Sequence, residues 1–110
     1  MAKSRQMLLV RPEAGAERGS VGQLQAMGSP PEVAQQLAKF NTAGDGGSGS
    51  LGTLQLHGPG FVAQIASGAD SVNQILLTVT EQDTAWPVLS RICRVMEWRL
   101  MDAETGQVFG

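Results

Sequence analysis

Gln74-Ile-Leu-Leu-Thr-Val-Thr-Glu-Gln-Asp-Thr-Ala-Trp-Pro-Val-Leu-Ser-Arg-Ile-Cys-Arg-Val-Met-Glu-Trp-Arg-Leu-Met-Asp102 changes its apolar period twice. From Gln74 to Thr80 the period is two. Ile75, Leu77 and Val79 fall on one face, Leu76 and Thr78 on the other. That pattern predicts a strand, and the extra leucine places it toward the middle of a sheet. From Asp83 to Met96 the period becomes helical. Val88, Leu89, Ile92, Cys93 and Met96 form one stripe, while Ser90, Arg91, Arg94 and Glu97 face away. Asp83 is the expected N-cap, with Pro87 in the first turn, where a missing N–H leaves no bond unmade. Trp98 to Asp102 then returns to strand. A helix linking two strands of one sheet makes a right-handed crossover, so the strands at 74–80 and 98–102 are expected to be parallel.

Working outward, Thr53-Leu54-Gln55-Leu56-His57 alternates polar and apolar. His57-Gly58-Pro59-Gly60 is a turn signal, and Phe61, Ala63 and Ile65 line one face of the run after it. Together they predict a β-hairpin. Ser29-Pro30-Pro31-Glu32 is a capping-box pattern with proline in the first turn, and Val33, Leu37 and Phe40 share one face of a helix over 30–41. Residues 43–52 form a Gly/Ser-rich loop. It contains Gly47-Ser-Gly-Ser-Leu-Gly52, which matches a dinucleotide-binding spacing but follows a helix and precedes a strand, the reverse of the order such a site needs. Downstream, Ala103-Glu104-Thr105-Gly106 predicts a turn with positive φ at or near Gly106, and residues 107–109 a last short strand. Met7-Leu-Leu-Val10 reads as a short strand closed by Pro12, and the glycines from Gly15 to Gly28 favour loop. The expected organisation is a flexible N-terminal segment, 1–28, and a single α+β domain, 29–110.

The expected fold is a two-layer α+β sandwich, with a mainly antiparallel sheet of four to five strands and two helices on one face. In broad outline this resembles ferredoxin-like architecture.

Composition narrows the function classes. The net charge is −2, with +1 in residues 1–50 and −3 in residues 51–110, so neither half resembles a nucleic-acid arm. The lone Cys93 allows no intrachain disulfide and fits a reducing, cytoplasmic setting. The apolar run near the N-terminus is four residues long, too short for a signal peptide or a membrane span. The chain starts with Met and ends in a glycine just after an apparent strand, as expected of a complete small protein.

No catalytic, metal or cofactor motif stands above background. His57, the single histidine, is a candidate ligand or proton shuttle, set against an ordinary exposed hairpin residue. Cys93 reads as a core thiol. Glu81, Asp83, Asp102 and Glu104 leave the carboxyl ends of two strands and form a candidate carboxylate edge for a divalent cation or acid–base chemistry. Their plain alternative is a helix cap, a turn and a solvated acid. Trp86, Arg91, Arg94, Trp98 and Arg99 form the one aromatic and basic concentration, a candidate protein-interaction surface. The expectation is a small non-enzymatic module binding a protein partner or itself through the sheet face or an exposed sheet edge. The alternatives are a small-molecule-binding regulatory domain and, less favoured, an enzyme or cation site on the carboxylate edge.

Overall fold

The computed structural model describes residues 4–15, 22–40, 42, 53–66 and 70–109. The order is β1 (Arg5–Val10), α1 (Pro30–Ala38), β2 (Thr53–Gly58), β3 (Phe61–Ala66), β4 (Gln74–Val79), α2 (Gln82–Met96), β5 (Arg99–Asp102) and β6 (Val108–Phe109). The strands form one sheet in the order β2-β3-β4-β1-β5-β6, with every neighbouring pair antiparallel. The class is therefore α+β, as expected, but the sheet has six strands rather than four or five.

The extra strand comes from the least legible part of the sequence. β1 lies between β4 and β5, with Met7 opposite Leu77 on one side and Asp102 on the other. A boundary at residue 28 thus does not separate the sheet from the N-terminal segment. β4 and β5 do run in the same direction, as the crossover through α2 requires, but β1 fills the place between them. The Gly/Ser-rich loop at 43–52, with its glycine motif, lies outside the described residues.

Alternate residues on the strands build one core. Met7 and Leu9 of β1, Ile75, Leu77 and Val79 of β4, and Phe61, Ala63 and Ile65 of β3 are buried together. α1 adds Val33 and Leu37, and α2 adds Ala85, Leu89 and Ile92 to the same cluster. The capping box of α1 is complete: Glu32 N–H donates to Ser29 Oγ (3.4 Å) and Ser29 N–H donates to Glu32 Oε1 (3.3 Å). That exchange satisfies two donors the helix cannot satisfy itself.

α2 starts earlier than expected. Glu81, not Asp83, is the N-cap residue; Asp83 sits in the first turn, where its charge favours the helix dipole. Pro87 is consequently the sixth helical residue rather than a first-turn residue, and its ring denies the helix one backbone bond. A tertiary anchor accounts for the early start. The Gly60 carbonyl accepts the N–H groups of Thr80 (2.8 Å) and Glu81 (3.0 Å) and fixes the exit of β4. Gly60 has φ +78°, and a Cβ there would stand 2.5 Å from the Glu81 carbonyl oxygen, so this hairpin turn needs glycine.

Candidate functional site

One face of α2 carries Trp86, Ser90, Cys93 and Arg94, spaced about one turn apart along the helix, with Glu97 just past its end. This face, the start of β5, Phe109 of β6 and the chain leaving β1 surround a cleft of about 970 Å³. The far wall is held by two backbone hydrogen bonds and one from a side chain. Gln25 N–H donates to the Arg11 carbonyl (2.9 Å), Arg11 Nη1 donates to the Ala26 carbonyl (3.0 Å), and Met27 N–H donates to the Val72 carbonyl (2.7 Å). At one end Trp86 meets Phe109 edge-on, with ring centroids 5.5 Å apart, and Arg5 lies 5.6 Å from the centre of the Phe109 ring. The other end gathers Arg11, Arg94 and Arg99 with Glu13 and Glu97.

Of the aromatic and basic group singled out from sequence, Trp86, Arg94, Trp98 and Arg99 all line this cleft. Trp98 is buried and forms part of the core, whereas Arg94 is exposed and has no partner among the described residues. Arg91 turns elsewhere and stacks 5.9 Å from the centre of the Phe40 ring. Sequence reasoning did not connect Arg11, Gln25, Met27 or Phe109 to this cleft, because they arrive from the two ends of the chain. Cys93 also lines it. Burial pushes the Cys93 thiol up to about 12, so at neutral pH it is a thiol and not a nucleophilic thiolate.

The strand positions that do not enter the core form a second feature. Gln64, Leu76, Leu8, Met101 and Val108 are paired successively across β3, β4, β1, β5 and β6, so they form one row on one face. Leu8, Leu76, Met101 and Val108 are half-buried and absent from the core cluster. Val62, Thr78 and Gln6 form the next row, with Thr78 Oγ1 and Gln6 Oε1 3.4 Å apart. Val10, on the same face by alternation, is fully buried. The extra leucine noticed in β4 is the one trace of this row that the sequence carries.

Of the four carboxylates at the strand ends, Asp102 and Glu81 are engaged by hydrogen bonds, whereas Asp83 and Glu104 are exposed. Asp102 Oδ2 accepts from Arg5 Nε (2.9 Å) and pairs with Arg5 Nη2 at 2.7 Å; its Oδ1 accepts the N–H groups of Glu104 (2.8 Å) and Thr105 (3.0 Å). Arg5 foremost, then these two N–H groups, hold the Asp102 carboxyl below its ordinary value. Glu81 Oε2 accepts from Thr84 Oγ1 (3.3 Å). Among the described residues no group of three or more His, Cys, Asp or Glu is arranged to hold a metal ion. His57 is exposed on the edge strand β2, opposite Val62. No helix among the described residues is long and apolar enough to cross a membrane. Compared with protein-family models, curated protein sequences and solved structures, the chain matches none.

Proposed function

We propose that this chain is a small non-enzymatic interaction module that pairs with a second copy of itself through the sheet face bearing Leu8, Leu76, Met101 and Val108. The fold detail that goes with this proposal is a two-layer, broadly ferredoxin-like arrangement with both helices on the opposite face, working in a reducing cytoplasm where Cys93 stays a thiol. The observation that carries the proposal is the in-register apolar row across four neighbouring strands, half-buried and outside the core.

The chemistry around the row favours a second copy over a charged partner. Its flanks are the neutral Gln6, Gln64, Gln74 and Thr78, with Arg99 at the margin. A two-fold pairing sets the same patch against itself, so a patch with few charges meets little like-charge repulsion. Two sheets can then pack face to face at about 10 Å, with their apolar rows interleaved. The sheet is about 24 Å across its six strands and about 20 Å along them, a footprint on the order of 500 Å². That is smaller than the ~800 Å² per partner of standard stable interfaces, so the association is reversible and concentration-dependent.

Sedimentation velocity of the full chain over roughly a hundredfold concentration range tests this. A monomer–dimer shift is expected, and Leu8→Thr with Met101→Thr should abolish it while β-propensity is retained. A chain that stays monomeric throughout, or a double variant that associates like the parent, overturns the proposal.

A further inference from the structure

The geometry points to a second, independent site: the cleft between α2, the β5–β6 edge and residues 11–15, 25 and 27 binds an amphipathic organic anion. Its apolar or aromatic body would lie against Trp86 and Phe109, and its acidic head against Arg94.

The size fits first. Small-molecule sites occupy about 300–1,000 Å³, and this cleft holds about 970 Å³. The lining is divided along the helix axis. Trp86 and Phe109 make an edge-on aromatic pair at one end, a surface suited to a flat or chain-like apolar body. Two turns further along α2, about 12 Å away by helical rise, stands Arg94. Ser90 lies between them on the same helix face and supplies a hydroxyl.

The charge at the second end selects the sign of the head group. Among the described lining residues Arg11, Arg94 and Arg99 outnumber Glu13 and Glu97, although the chain as a whole carries −2, and Arg99 already has an interaction of its own. Arg11 is committed to the Ala26 carbonyl and helps hold the wall in place. Arg94 is exposed, faces the cleft and has no partner among the described residues, so its planar guanidinium fork is the group placed to receive a carboxylate, sulfonate or phosphate. A neutral apolar ligand would leave that cation unanswered. A dianionic or larger polyanionic ligand would meet Glu13 and Glu97. One acidic head on an apolar body matches both ends.

The test uses two dyes with the same apolar body, one charged and one not: 8-anilinonaphthalene-1-sulfonate and N-phenyl-1-naphthylamine. Each is titrated by fluorescence into the full chain. The contact is mapped by the indole N–H signals of Trp86 and Trp98 in 1H–15N spectra. Expected is one-to-one binding of the sulfonate with a shift of the Trp86 indole signal. Arg94→Gln, at an exposed position, should weaken the sulfonate about tenfold and leave the uncharged dye unchanged. The proposal is overturned if the sulfonate does not bind, if Arg94→Gln binds it as tightly as the parent, or if the shifts map to Leu8, Leu76 and Met101 instead of the cleft. Repeating the titration with the Leu8→Thr, Met101→Thr variant separates the two sites. Cleft binding is unaffected by that variant, whether or not the chain pairs.

Discussion

Asp102 ties three parts of the chain together: its carboxylate holds Arg5 at the start of β1, the turn after β5, and β5 itself. The turn continues the same design, with Gly106 N–H donating to the Asp102 carbonyl (2.9 Å) at φ +78°, the positive φ that the sequence predicts near Gly106. The ion pair with Arg5 was not legible, because the partners stand at opposite ends of the sequence and meet only once β1 enters the sheet. The direction of its pH dependence follows from its partners. Arg5 and the two N–H groups stabilise the charged form, so the folded carboxyl titrates below the ordinary value of 3.8. A group depressed on folding contributes stability that is complete above the unfolded value and is lost as pH falls through the folded one. Asp102→Asn should therefore unfold at lower urea at neutral pH. Below about pH 4 it should lose less stability than the parent as acid is added. Urea midpoints measured across that range check this; parallel curves for parent and variant would show that Asp102 does not carry the acid sensitivity.

α2 shows how far pattern reading reaches at the scale of an element. The stripe containing Leu89 and Ile92 is buried as its spacing requires, while Val88, Cys93 and Met96 pack against the core from the margin. The start of the helix was less legible than its end, which the pattern places at Met96, where it is found. The start is fixed by the Gly60 carbonyl from another hairpin, a contact that no window of local sequence contains. The end is fixed by Glu97, the one non-glycine residue among those described with positive φ, at +59°. Around it Trp98 N–H donates to the Cys93 carbonyl (3.1 Å), the six-to-one bond of a Schellman ending. That ending normally takes glycine, and glutamate reads locally as an ordinary solvent-facing helix residue, so the stop at Met96 is legible only from the return to a strand pattern at Trp98. An L-residue in the left-handed region carries a steric penalty of about 1–2 kcal/mol that glycine avoids. Part of the relief is offset by the greater freedom of glycine in the unfolded chain. Glu97→Gly should consequently stabilise the domain by about 0.5–1 kcal/mol, read as a rise in melting temperature. A fall of similar size would mean that the Glu97 side chain holds more of the structure than its backbone strains.

At the scale of the whole molecule, β1 decides how the parts combine, and it is also where the sequence was least informative. Four apolar residues before a proline carry too little pattern to be placed, because their partners lie some seventy and some ninety positions away. With β1 between β4 and β5, adjacent side chains serve opposite faces. Leu9 is fully buried in the core, while Leu8 stands half-buried in the second-face row beside Leu76 and Met101. Two neighbouring substitutions therefore separate folding from association. Leu9→Ala leaves a cavity in a close-packed core and should cost about 2–5 kcal/mol at every protein concentration. Such a loss would also place β1 in the folding unit rather than in a dispensable leader. Leu8→Thr should leave the dilute chain nearly as stable as the parent, since it removes no core contact. What it should remove is the rise in melting temperature with concentration that pairing of folded chains produces by mass action. Thermal melts of parent and both variants at low and high concentration distinguish the cases. If Leu8→Thr lowers the dilute melting temperature as far as Leu9→Ala does, the second face belongs to the folding core and the pairing proposal fails. If only the concentration dependence disappears, one strand holds the fold together on one face and joins two copies on the other.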